Sequence, residues 1–250
     1  MVADILMNIQ DMFAPPADTD QETESDFSTS EESLLSDHYD TKEHIYNFKM
    51  FNLQEIGSYE GEKPKPRSGH RIVQYKGRIY SFGGYNPAID QDDPDLQEDL
   101  FWQESKPLFK ELWELNLTTG KWIKCVMKGD IPEQLASHTA VSHPLDPGVM
   151  LIYGGTGAPF GITTSNTVVA CHLDTQQFRK IVTQEGEGHP MALYGQAVVT
   201  DTARGLFYTV GGTSGFHYFM DVNMLDLSCS PPVWSSLYRL SGVRDEPEPR

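Results

Sequence analysis

Apolar and polar positions trade places over short distances through most of this chain. The run Glu111-Leu112-Trp113-Glu114-Leu115-Asn116-Leu117 alternates with a period near two, the pattern of a strand whose faces differ. Three aromatic-rich runs each stop at a glycine pair: Gly77-Arg78-Ile79-Tyr80-Ser81-Phe82-Gly83-Gly84, Val149-Met150-Leu151-Ile152-Tyr153-Gly154-Gly155 and Gly205-Leu206-Phe207-Tyr208-Thr209-Val210-Gly211-Gly212. β-branched and aromatic side chains suit a packed pleated surface, and glycine ends such a strand because it packs nothing and reaches positive φ. Spacings of 71 and 57 residues between the pairs make this an internal repeat.

The first unit opens at Arg67-Ser68-Gly69-His70 and predicts strands at 71–75, 78–82, 111–117 and 121–125. The second opens at Leu135-Ala136-Ser137-His138, has its third strand at 167–173 and carries Phe178 where the first carries Trp122. The third opens at Leu193-Tyr194-Gly195-Gln196, has its third strand at 222–227 and places Trp234 at the aromatic position. From the second glycine of the pair to this aromatic is 38 residues in the first unit but 23 and 22 in the others. The excess falls in residues 88–107, where Asp90, Asp92, Asp93, Asp95, Glu98, Asp99 and Glu104 form an acidic insertion. It reads as a solvated surface loop, since the spacing and glycine of a calcium-binding EF-hand loop are absent.

The first 62 residues have another character. They hold 15 acidic residues and two lysines, a net charge of −13 out of −17 for the chain. Val2, Ile5, Leu6, Ile9, Met12 and Phe13 recur near helical spacing before Ala14-Pro15-Pro16, a segment able to fold in a partner's groove, although a frayed tail is the simpler account. From Asp18 to Asp40 there is too little apolar surface to support a fold, so an acidic disordered tail is expected. Ser28 and Thr29, each three residues before a Glu, fit acidophilic phosphorylation as any serine in an acidic tract does. Tyr46, Phe48, Phe51 and Leu53 come close to alternating and predict an edge strand, followed by a Pro/Lys linker.

With the tail set aside, residues 63–250 carry a net charge of only −4, which argues against the basic stripe that nucleic acid requires. Cys125, Cys171 and Cys229 are odd in number and widely spaced, so free thiols in a reducing compartment are expected rather than a disulfide framework or zinc site. No apolar run reaches the roughly 18 residues of a membrane span, and the N-terminus lacks signal-peptide character. The expected setting is the cytoplasm or the nucleus. The eight histidines form no HExxH motif, and neither a phosphate loop nor a GxSxG elbow occurs, so no catalytic residue, metal or cofactor is expected.

Four short strands per unit, a glycine pair after the second and an aromatic in the fourth resemble the kelch-repeat β-propeller family. The openings Arg67-Ser68-Gly69-His70 and Leu135-Ala136-Ser137 and the loop Gly154-Gly155-Thr156-Gly157-Ala158-Pro159-Phe160-Gly161 carry the same resemblance. It implies an all-β fold, a kelch-type propeller with about three four-stranded blades of a six-bladed whole, preceded by a disordered acidic N-terminal tail. The expected divisions are 1–45 for the tail, 46–66 for the edge strand and linker, 67–134 for blade one, 135–192 for blade two and 193–250 for blade three and the start of another. Tyr80, Phe82, Trp113 and Trp122 are expected to pack between blades. Three blades leave two sheet faces open, so the chain reads as a fragment of a longer protein, expected to be poorly soluble or oligomeric alone.

What the resemblance implies about function is protein recognition without catalysis. Similar proteins act as substrate receptors of cullin-2 RING ubiquitin ligases. Their propeller reads a substrate's C-terminal tail, and a box after the propeller, beyond Arg250, recruits elongin and the cullin. A terminal carboxylate needs cationic or backbone donors in a concave site. Candidates on the loops are Arg67, Ser68, His70 and Arg71 at the first opening, Ser137, His138, Tyr194 and Gln196 at the later openings, and Tyr85, Asn86, Phe160, His217 and Tyr218 after the glycine pairs. Taken singly, each is more simply a packing or turn residue. A scaffold or actin-associated kelch protein with no role in ubiquitination is the alternative.

Overall fold

The computed structural model describes residues 61–89, 93–184 and 188–239. The segments read above as an N-terminal helix, acidic tail and edge strand, and the residues after Arg239, lie outside them. The described part contains three antiparallel meanders. The first sheet holds β1 (Arg71–Tyr75), β2 (Arg78–Phe82), β3 (Leu112–Asn116) and β4 (Lys121–Lys124) in that order. The second is built from β6 (Thr139–His143), β7 (Asp146–Tyr153), β8 (Val168–His172) and β9 (Gln177–Lys180), and the third from β10 (Ala197–Asp201), β11 (Leu206–Thr213), β12 (Tyr218–Asp226) and β13 (Val233–Tyr238). The second sheet gains a fifth member: β5 (Lys128–Gly129), in the connection from the first sheet, pairs in parallel with β9. Asp130 anchors it, its carboxylate accepting from Lys180 N at 3.0 Å.

Period-two alternation decides what each strand buries. In the middle sheet Met150, Ile152, Val169, Cys171 and Phe178 pack against Val73, Tyr80, Phe82 and Leu112 of the first. The intervening Val149, Leu151, Tyr153, Val168 and Ala170 pack against Phe207, Leu225, Leu227 and Trp234 of the third. The middle sheet is therefore buried on both faces, as a propeller blade is, and each blade supplies half of a junction core. Tyr80 and Phe82 behave as expected at the first junction. Trp113 is buried on the opposite face of the first blade, and Trp122 is half-buried.

The glycine pairs have nearly the same conformation three times. Their φ values are +70° and +102°, +68° and +100°, and +69° and +112°. Gly83 shows why no other residue serves: a Cβ there would stand 2.3 Å from the Leu135 carbonyl oxygen of the next blade. That close approach lets Gly84 N donate to Leu135 O at 2.7 Å, and Gly155 N donates likewise to Leu193 O at 3.0 Å.

The acidic insertion is not the solvated loop that its composition suggests. It forms α1 (Pro94–Gln97) and α2 (Leu100–Ser105), and Leu96 and Trp102 are buried with Phe109 in a satellite core. Asp99 caps α2, its Oδ1 accepting from Trp102 N at 3.2 Å, and its other oxygen pairs with Lys124. The acids that looked like solvation include the cap and ion-pair partners of this small folded unit. The third blade also differs in detail, because β12 begins at Tyr218, four residues earlier than alternation indicated, closing a tight hairpin with Thr213.

Candidate functional site

In an antiparallel meander the start of the first strand and the end of the second share an edge, as the Arg71–Phe82 pairing shows. The openings and the loops after the glycine pairs therefore meet at one end of the arc. Each opening bridges to its own post-glycine loop: Ser68 with Tyr85, Ala136 with Thr156, Tyr194 with Thr213. The openings are also tied to each other. Ser137 N donates to Gly69 O, and Gly195 N donates to Ser137 O, both at 2.8 Å. Ser137 takes φ +53° at the position that is glycine in the other two openings.

Across this framework runs a row of aromatic rings, one from each blade. Tyr85 and Phe160 lie 4.8 Å apart between centroids, and Phe160 meets Tyr194 edge-on at 5.7 Å. Phe160, in the middle, remains 43% exposed. Tyr218 is 84% exposed, and it and Tyr85 are close enough to Tyr194 to reinforce the effect of burial in raising that phenol's pKa. The loops come together because Gly215 lies against Gly161, where a Cβ would stand 2.3 Å from the Gly161 carbonyl oxygen. His217 is exposed on the same hairpin, its carbonyl accepting from Thr213 Oγ1 at 2.8 Å.

The basic residues belong to the first opening. Arg71 is half-buried and donates from Nη1 to the His70 carbonyl at 3.0 Å. Burial lowers the His70 pKa, and the neighbouring Arg67 and Arg71 lower it further. Arg67 itself points inward. Its guanidinium pairs with Glu111 at 2.7 Å, lies 3.8 Å from the centre of the Phe109 ring and donates from Nε to Lys65 O at 2.9 Å. Burial alone would raise the Glu111 carboxyl, but Arg67, Lys124 and the Trp113 indole outweigh it and hold it below the usual carboxylate range.

Two other candidates, His138 and Gln196, lie under the surface, and Asn86 is half-buried. His138 is fully buried between the first and second glycine pairs, 5.4 Å from the Phe82 ring, and burial lowers its pKa to about 3. Neither ring nitrogen has a well-formed hydrogen bond. Gln196 takes the corresponding place against Gly154 and Gly212. Asn86 is committed to its turn, donating to Pro66 O at 2.8 Å and accepting from Ala88 N. Ser68 is exposed at the rim. The fold thus gathers Tyr85, Phe160, Tyr194 and Tyr218 into one surface with His70, Arg71 and His217 on the same loop face, while Arg67, His138 and Gln196 lie beneath it and Asn86 holds the turn after the first glycine pair.

Comparison with known proteins agrees with the propeller fold. The family model described as the Attractin/LZTR1 β-propeller matches residues 32–244. The chain belongs to the kelch-repeat β-propeller family. It is 36% identical over 192 residues to kelch domain-containing protein 10 of Xenopus tropicalis, a match covering 76% of this chain and 43% of the relative. The human protein of that name is 36% identical over 191 residues, covering 76% and 40%, and the Drosophila melanogaster homologue 34% over 196 residues, covering 76% and 30%. This kelch chain therefore spans less than half the length of these curated relatives. Among solved structures YjhT superposes with a TM-score of 0.53 at 17% identity, covering 71% of this chain and 53% of that one, a likeness of fold. A kelch propeller is a protein-interaction module. Among the described residues no helix is long and apolar enough to cross a membrane, and no three His, Cys, Asp or Glu side chains stand as a metal site.

Sequence reasoning passed over the residues that hold this face together. Glu111, Lys124 and Asp99 are distant in sequence and join only in the fold. Asp99 did carry a signal, an acid three residues before a tryptophan at a helix start. Gly161 and Gly215 carried none beyond being glycine, since their contact joins two loops with no common motif.

Proposed function

We propose that this chain is the recognition part of a substrate receptor for a cullin-2 RING ubiquitin ligase, and that its loop face reads the C-terminal tail of a protein substrate. The observation that carries the reading is the three-blade aromatic row Tyr85–Phe160–Tyr194, solvent-accessible at Phe160, on a face that also bears Arg71. An extended peptide lies along such a row with its apolar side chains on the rings, and a cation nearby complements a terminal carboxylate. Arg67, paired with Glu111, positions the first opening instead of contacting the peptide. The divisions are 67–134 for blade one, 135–192 for blade two and 193–250 for blade three with the start of another, the module is non-catalytic, it works in the cytoplasm or nucleus, and elongin and the cullin bind through sequence outside this chain.

The test is binding of a fluorescent peptide library with varied C-terminal residues, each sequence made as free acid and as amide. Selected free acids are expected to bind, to weaken at least tenfold as amides, and to weaken again with Phe160→Ala or Arg71→Gln. Equal binding of acids and amides would remove the tail-reading function. Binding without co-precipitation of elongin and cullin-2 by the full-length product would leave a tail-binding kelch protein outside the ligase system.

A further inference from the structure

The aromatic row of the loop face is held by contacts that its rings do not make. Tyr194 and Thr213 exchange backbone hydrogen bonds at 3.0 and 2.9 Å, so the third opening is fastened to the base of the β11–β12 hairpin. The tip of that hairpin is closed by its own polar groups. Thr213 Oγ1 donates to His217 O at 2.8 Å and accepts from Gly215 N at 3.0 Å, and Ser214 Oγ accepts from His217 N at 3.3 Å. The second blade meets it with another self-closed turn. Thr156 Oγ1 accepts from Gly161 N at 2.8 Å, and Thr163 Oγ1 accepts from Gly157 N at 3.1 Å and donates to Pro159 O at 3.4 Å. Phe160 lies between these two threonines in sequence.

The two turns touch glycine to glycine. A Cβ on Gly215 would stand 2.3 Å from the Gly161 carbonyl oxygen, and a Cβ on Gly161 would stand 3.3 Å from the Tyr194 hydroxyl. Both glycines take left-handed φ, +94° and +79°. Backbone meets backbone here, so neither side can yield as a flexible side chain would. The contacts close a circuit: the Phe160 ring to the Tyr194 ring, the Tyr194 main chain to Thr213, and Gly215 to Gly161 beside Phe160.

We propose that the Gly161–Gly215 contact is a latch that positions the aromatic row, so that the loop face meets its ligand as a preformed platform. The inference rests on the tail-reading surface described above only for the identity of that ligand. Phe160 touches the peptide, and Gly161, Thr213 and Gly215 are positioning residues that act through its ring. Preformation raises affinity because loops and rings that are already ordered lose less freedom on binding. The latch also has a signature that needs no ligand. Burial raises the Tyr194 phenol pKa above its ordinary 10, and Tyr218 and Tyr85 add to the effect. A hairpin parted from Gly161 takes Tyr218 with it and opens Tyr194 to water.

Carbon-13 spectra of the tyrosine side chains in the full chain follow that titration, with Tyr194→Phe assigning the resonance. Gly215→Ala is expected to bring the Tyr194 midpoint down toward 10 and to weaken binding of a selected free-acid peptide about tenfold, with strand content unchanged. Gly77→Ala is the control. Its φ is +71° and a Cβ there meets nothing within 4 Å, so it carries the same backbone strain with no blocked contact and leaves both readings as they are. Thr213→Val removes the pin of the hairpin tip without adding bulk against Gly161, and it gives the same shift should Gly215→Ala fail to fold. A Tyr194 midpoint that stays in place in a folded Gly215→Ala or Thr213→Val chain, or that moves equally with Gly77→Ala, overturns the latch. A lowered midpoint with unchanged peptide affinity supports the latch and removes the row as the tail-reading surface.

Discussion

A buried imidazole without a well-formed hydrogen bond makes His138 a reporter of how tightly the first two blades close. Its pKa falls to about 3 from an ordinary 6.5, chiefly through burial, with Arg71 and His70 adding repulsion. The unfolded chain therefore binds a proton that the folded chain refuses. The stability contributed by the neutral ring is present above pH 6.5 and lost as pH falls toward 3, roughly 2 kcal/mol between pH 7 and pH 5. Urea titrations at those two pH values should show this slope, and His138→Gln, which copies Gln196 of the third blade, should flatten it. The Glu111 and Asp99 carboxyls are held low in the fold, so their contribution is lost in a more acid window, as pH falls through the ordinary carboxylate range and below. Removing the Glu111 charge is more damaging at neutral pH. Glu111→Gln leaves the 5%-exposed Arg67 side chain without its counter-ion and should cost about 3 kcal/mol, read as a lower denaturation midpoint at unchanged slope.

At the scale of elements, the glycine-pair strand and the helical insertion show opposite relations to local sequence. The pair is specified locally, yet its necessity comes from the next blade. Gly83→Ala places a methyl group where the Leu135 carbonyl lies and asks alanine to hold φ +70°, and it is expected to cost on the order of 3 kcal/mol in thermal or urea unfolding. The insertion depends on one cap and one small core. Asp99→Ala removes the acceptor for Trp102 N and the partner of Lys124, a loss of about 1–2 kcal/mol. Amide exchange should speed up over 94–105 and leave the strands of the second and third blades protected, because the satellite core of Leu96, Trp102 and Phe109 is separate from the junction cores.

For the molecule as a whole, the middle blade couples the other two through residues adjacent in sequence. Leu151 belongs to the junction with the third blade and Ile152 to the junction with the first. Each truncation to alanine opens a cavity in a dry core and should cost 2–5 kcal/mol. Their exchange signatures should differ, with Leu151→Ala loosening β10–β13 and Ile152→Ala loosening β1–β4. Uniform loosening by both would mean that the three sheets unfold as a single unit. The loop-face row is a property of this scale, since Tyr85, Phe160 and Tyr194 come from three blades and touch only when both junctions are closed.

Period-two alternation, three glycine pairs and three matching aromatics were enough to read a repeated four-stranded blade, because strand pattern and turn chemistry are local and repetition multiplies the signal. The same locality placed β1 and β2 at their observed limits and brought Tyr85, Phe160 and Tyr194 among the candidates for the loop face. Charge and composition misled at residues 88–107, where Trp102 and Asp99 outweigh the acids around them once Phe109 and Lys124 are brought near. Arg67 and His138 looked like surface chemistry for the same reason, since nothing in their neighbourhood along the chain reveals Glu111 or the Gly83 contact. Which polar residues face solvent and which are enclosed was decided by tertiary contacts that no local pattern records, Arg67 with Glu111 across its own blade and Gly83 with Leu135 and His138 of the next.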